Sequence, residues 1–224
     1  MGNVKKAWKY ILPILLLPFF GNLAQTQIQL MCNSLLGVMH LAAIAFSQSL
    51  YSIANMALYA AAITGVALPA MWADEGKAKA GKTAHRWCLT VFGAMIAAIA
   101  AAFLLLGQPM LRPFTSTDEI IALGNTFLRS GAVAMLGTAV LGGIIGQTQK
   151  KYSLTVSLIL CGGMAGLWVA LGHMLTVSYG ASGIGLSQGG ILAATRIMPF
   201  LMIPYRRFVD DFVPAAPQNQ EVSA

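Results

Sequence analysis

The side chains able to do chemistry in this chain are mainly amides, and they fall in two stripes. Asn22, Gln25, Thr26, Gln29 and Asn33 recur at three- and four-residue steps, and Gln48, Tyr51, Ser52, Asn55 and Tyr59 repeat that spacing further along. At about 100° per residue each set fills an arc of roughly 100° on a helix, and only Gln27 points elsewhere. Amides donate and accept hydrogen bonds without ionising, so the chemistry on offer is recognition, not proton transfer. One or two such residues would serve to fasten helices together, at about 0.6 kcal/mol per pair in a bilayer. Five on each of two neighbouring helices exceed that need. An unpaired amide in hydrocarbon costs several kcal/mol, so the paired stripes favour a water-accessible cavity lined by Asn22, Gln25, Gln29, Asn33, Gln48, Tyr51, Ser52 and Asn55.

The elements that must carry these stripes lie in a membrane. Of 224 residues 57% are hydrophobic and 9% charged, against about 25% charged in soluble domains. The basic start "KKAWKY" leads into an apolar run too long for a cleaved signal segment, so the first span is expected to stay in the bilayer. Apolar runs predict an all-α integral membrane protein, a bundle of six spanning helices at about 9–35, 41–70, 87–107, 119–146, 152–177 and 184–204. "WADEGKAKAGKTAHR" reads as an extended polar loop. "GQPMLRPFTSTDE" reads as a proline-broken connection, with Ser116 and Glu119 as a capping box. "SYGASGIG" reads as a glycine-rich turn. Residues 1–205 thus form the transmembrane domain, and 206–224 a polar tail expected to be disordered.

Orientation follows from the cations. Lys5, Lys6, Lys9, Lys77, Lys79, Lys82, Arg86, Lys150, Lys151, Arg206 and Arg207 fall on one side of a six-helix arrangement, with Arg112 opposite. That side, with both termini, is expected in the cytoplasm. The net charge of +7 then serves topology and anionic membrane lipids, and nucleic acid is not an expected partner. Two copies would lie parallel and could share a two-fold axis along the membrane normal.

Other reactive groups are sparse. Cys32, Cys88 and Cys161 are odd in number and widely separated within apolar runs, which argues against a disulfide framework or a metal site, and they read as small core residues. Arg129 and Arg196 are candidate charges in the membrane interior, although such a residue is more often an interfacial or snorkelling side chain than a site residue. His173 reads as interfacial, and His40 and His85 as solvated. Gly142 with Gly146, Gly162 with Gly166, and Gly185 with Gly189 have the spacing of close helix packing. No nucleophile-base pair, phosphate loop, metal spacing or cofactor motif is readable, so neither catalytic residues nor cofactors are expected.

The order of several motifs resembles the multidrug and toxin extrusion (MATE) transporters, within the wider polysaccharide and lipid flippase superfamily. "YILPILLLPFFGNLAQTQIQLMCNSLLGVMHLAAIA" is similar to that family's first helix and turn, with Leu36, Gly37, Leu41, Ala42 and Ala43 as its ending. "DEGKAKAGKTAHR" resembles the basic loop after the second helix, and "FTSTDEIIALGNTFLRSGAV" the start of the fourth, with Leu128 and Arg129. "GGIIGQTQKKYS" and "YGASGIGLSQGGILAATRI" resemble the loop after the fourth and the start of the sixth. Family members carry about twelve helices in two lobes, so the resemblance implies half a transporter in a bacterial inner (plasma) membrane. It implies multidrug efflux or antiport by a homodimer or with a second half-transporter. Aligned on Leu36 and Gly37, Gln29 stands where many prokaryotic members have a coupling aspartate. With no acid in the predicted interior, the expected cargo is an amphipathic or polar, possibly lipid-linked, solute. The alternative is a non-transporting membrane subunit that binds partner helices, a quinone or lipid in a larger complex.

Overall fold

A bilayer core offers no water to backbone N–H and C=O groups, so each segment crossing it must satisfy them internally. The computed structural model describes residues 2–75, 77–148, 153–203 and 208, and among them the regular elements are all helices. They are α1 (Gly2–Leu36), α2 (Val38–Asp74), α3 (Ala78–Leu111), α4 (Asp118–Thr148), α5 (Leu154–Tyr179) and α6 (Ala181–Leu192). A π-helical turn, Ala193–Ile197, joins α6 without a break to α7 (Met198–Leu201). Five of them, α1 to α5, are long and apolar enough to cross a membrane.

The connections are shorter than the sequence suggests. Ala, Lys, Glu and Arg are good helix formers, so most of the expected polar loop after α2 is absorbed into helix ends and only residues 75–77 link α2 to α3. Likewise α3 continues through Pro109 to Leu111, leaving residues 112–117 as the connection. The start of α4 is closed by Thr115 and Thr117 rather than by Ser116 and Glu119. The Thr117 N–H donates to Thr115 Oγ1 at 3.2 Å, and the Ile121 N–H to the Thr117 carbonyl at 3.1 Å. Single residues turn the chain at Gly37 (φ 84°) and Gly180 (φ 53°), left-handed conformations that glycine adopts at no steric cost. The expected tail, residues 206–224, lies outside the described residues apart from Phe208, as do Lys150 and Lys151.

The outside of the bundle is apolar. Leu105, Met56, Ile159 and Met174 are 66–76% exposed, while Ser47, Thr138, Ser157, Thr176, Ser187 and Thr195 are buried. Such a surface has its favourable solvent in lipid, which together with the five apolar helices describes an integral membrane protein. Trp8, Trp72 and Trp87, with Lys79 and Arg86, lie toward one end of the bundle, the combination that anchors helices at headgroup level.

The run from α6 to α7 is the axis. Between residues 183 and 200 every residue is buried except Leu186 and Arg196. It packs most extensively on α4, because glycines let the backbones touch: a Cβ on Gly189 would lie 2.6 Å from Gly131 Cα, and one on Gly142 3.2 Å from Met198 Cα. The expected packing pair Gly162 and Gly166 does not behave this way, since a Cβ at either meets nothing within 4 Å. Pro199 accounts for the π-turn. It has no N–H to offer the Thr195 carbonyl four residues earlier and its ring crowds that carbonyl, so the helix widens and Met198 N–H bonds Ala193 O instead.

His85 is not solvated. It is fully buried, its Nδ1 lies 3.0 Å from the Gly65 carbonyl oxygen, and its ring stacks on Phe208 at 4.2 Å. Cys32 and Cys161 are buried and unpaired, and Cys88 is half-buried and unpaired.

Candidate functional site

Both amide stripes straddle the edge of the packed face, and exposure grades along each arc. On α1, taking Gln25 as origin, Gln29 lies at about 40°, Asn22 at about 60°, Asn33 at about 80° and Thr26 at about 100°. Gln25 is buried, Gln29 half-buried, and Asn22, Asn33 and Thr26 are exposed. On α2, taking Gln48 as origin, Tyr51 lies at about −60°, Asn55 at about −20°, Tyr59 at about 20° and Ser52 at about 40°. Tyr51 and Asn55 are buried, Gln48 and Tyr59 half-buried, and Ser52 exposed. Polar surface therefore runs continuously from the interior onto an open side of the bundle.

At the inner edge the stripes meet α6. Asn22, Gln25, Gln48, Tyr51, Ser52, Gln188, Leu192 and Arg196 line a cleft of about 80 Å³. The amides form a relay: Gln29 Nε2 donates to Gln48 Oε1, and Gln48 Nε2 donates to Gln25 Oε1 at 3.4 Å. Arg196 Nη2 donates to Asn22 Oδ1. Asn22 sits midway along the apolar span of α1, roughly 24 Å from Lys6 and 21 Å from Leu36 at 1.5 Å per residue, so the guanidinium tip reaches mid-depth. Tyr51 is fixed on its far side, its hydroxyl donating to the Leu128 carbonyl at 3.3 Å and its ring set edge-on to Phe103 at 4.7 Å.

Two lining residues carry buried donors with no partner, Gln188 Nε2 and Arg196 Nε; close by in sequence to the lining residue Ser52, Asn55 Oδ1 is a buried acceptor without one. Buried polar atoms are satisfied in the great majority of cases, so Gln188 Nε2 and Arg196 Nε leave unmet hydrogen-bonding capacity at the cleft, although other such atoms, Ser157 Oγ and Thr176 Oγ1 among them, lie elsewhere in the bundle.

The sequence-derived set is thus partly assembled. Asn22, Gln25, Gln48, Tyr51, Ser52 and Arg196 share the cleft; Gln29 sits behind Gln48; Asn55 is buried without lining it; Asn33 is exposed and does not line it. Arg129 lies apart from the cleft: it is on the surface of the bundle on α4, and its Nε donates to the Leu104 carbonyl of α3 at 2.9 Å. Gln188 and Leu192 were missed, although Gln188, Leu192 and Arg196 stand at i, i+4 and i+8, one helical face. Among the described residues no three His, Cys, Asp or Glu side chains gather as a metal site would require. No protein family, curated protein or solved structure matches the chain.

Proposed function

We propose that the chain is one lobe of a secondary transporter, similar to half of a MATE protein, that moves an amphipathic or polar solute by alternating access once paired with a second lobe. The observation that carries this reading is the grading of both amide stripes from buried to exposed. A finished bundle in lipid would keep such groups inside, because each exposed amide in hydrocarbon costs several kcal/mol; a wall awaiting its opposite wall would not. Size argues the same way. Ligand pockets occupy about 300–1,000 Å³, and the cleft of about 80 Å³ is one side of such a chamber.

In this reading residues 181–201 form a sixth crossing, about 31 Å long at 1.5 Å per residue against a hydrocarbon core of about 30 Å. Both termini then lie on the side of Lys79 and Arg86, the cytoplasm, and a two-fold axis along the membrane normal brings a second α1–α2 face opposite the first. The test is the particle's mass in lipid nanodiscs, together with solute flux in proteoliposomes made from the same preparation. A dimer that supports flux is expected. A monomer without flux under any ion gradient overturns the reading, and a lipid or quinone that copurifies without flux supports the non-transporting subunit instead.

A further inference from the structure

We infer that the cleft between α1, α2 and α6 is an oxyanion site, in which Arg196 and Gln188 hold a carboxylate or phosphate group at mid-depth in the membrane. The inference rests on the cleft being the solute site proposed above and names the chemistry of its cargo.

The argument begins with donors. A guanidinium has five N–H groups and no acceptor. Here Nη2 is used on Asn22 Oδ1, while Nε is buried without a partner. Gln188, two turns earlier on the same face, contributes a second buried donor without a partner to the same cleft. An acceptor-rich guest would answer both.

Charge narrows the guest further. A cation at membrane mid-depth is costly and pairs with an anion where one can reach it. Among the described residues the acids are Asp74, Glu75, Asp118 and Glu119, each at or just beyond the end of a helix. None shares the cleft. The chain's own described residues therefore supply Arg196 with an amide oxygen but no counter-charge, and a guest oxyanion would supply it with paired, charge-assisted hydrogen bonds.

The neighbours fit that role. Ser52 offers a hydroxyl at the rim, and Leu192, between Gln188 and Arg196, offers an apolar contact for the carbon attached to the oxyanion. About 80 Å³ is room for a few waters or one small oxyanion group, so the rest of an organic anion would extend out over the exposed half of the stripes.

The test uses the full chain in a nonionic detergent and measures equilibrium binding of three probes: inorganic phosphate, benzoate and dihexanoyl phosphatidate. At least one should bind. Arg196→Gln should weaken that binding roughly 30-fold and Gln188→Leu roughly fivefold. Arg196→Lys, which keeps the charge and loses the fork, should fall between, and Arg129→Gln on the outer surface should match the unaltered chain. Binding of phosphate or benzoate identifies a soluble anion; binding of phosphatidate alone identifies a lipid headgroup. Gel filtration of each variant separates lost binding from lost folding. If none of the probes binds, or if Arg196→Gln and Arg196→Lys both bind as the unaltered chain does, the inference is overturned. Flux that ignores Arg196→Gln would sink this inference and leave the transporter standing. Arg196-dependent binding without flux would do the reverse.

Discussion

Replacing Gly189 by alanine tests the packing on which the site depends. The new Cβ would fall closest to the Gly131 carbonyl oxygen and 2.6 Å from both the Cα and the carbonyl carbon of Gly131, where ordinary contact begins at 3.4 Å. All three obstacles are backbone atoms with no rotamer to change, so α6 and α4 must part by at least about 0.8 Å. Overpacking of this kind costs typically about 1–3 kcal/mol. Gly137 on α4 is the matched control, because a Cβ there meets nothing within 4 Å, and alanine in an open helix position gains up to about 1 kcal/mol. The two variants should therefore differ by about 2–4 kcal/mol, with Gly189→Ala the weaker. Reversible unfolding in mixed micelles of rising SDS content reads that difference. Equal midpoints for the two variants would refute the backbone-to-backbone packing of α4 and α6. Because Gln188 rides on α6 and Arg196 on the π-turn that continues it, Gly189→Ala should also weaken binding at the cleft.

Gln29 touches the cleft through Gln48, so Gln29→Ala should weaken solute binding by roughly 0.5–1.5 kcal/mol, one net hydrogen bond, without altering the pH dependence of flux. Gln29→Asp should add a pH dependence: a partly buried carboxylate has a raised pKa, so it is neutral at mild acidity and charges as pH rises; steep proton-driven flux in the unaltered chain that Gln29→Ala abolishes would contradict this role. Ala80→Cys, exposed near the start of α3, should resist an impermeant thiol reagent applied to intact cells, and labelling from outside would invert the topology. In the native chain a small maleimide should reach Cys88 first, since it borders a groove of about 600 Å³ between α2 and α3. Cys32 and Cys161, both 0% exposed, should react only after unfolding, as mass spectrometry of timed samples will show.

Much of the helical layout was legible because length and apolarity decide it: the runs containing α1 to α5 are too long and too uncharged for anything else. The ends were not legible where residues such as Lys79 and Ala80 favour helix whether or not lipid surrounds them, so a loop in composition became two helix ends in fact. The stripes were legible by angle, since 100° per residue is intrinsic to the helix. Which edge of each stripe is buried is set by the neighbouring helices, chiefly α2 and α5 for α1 and α1, α3 and α4 for α2, and that is why Asn33 is exposed while Asn55 is buried. Gln188 escaped notice as a single amide among glycines, and its link to Arg196 needed the face they share. His85 is buried where the sequence suggests solvent, because the exposure of a lone aromatic residue depends on what packs on it, here the Gly65 carbonyl and the Phe208 ring.

The turns at Gly37 and Gly180 leave little spare chain at one end of the bundle. Of the three connections there, residues 112–117 alone offer a stretch of several residues outside helix. A protease, an antibody or an inserted epitope working from that side therefore has one practical address, beside Phe114. Inserting a tag at Gly37 or Gly180 instead would separate two helices that a single residue now holds together.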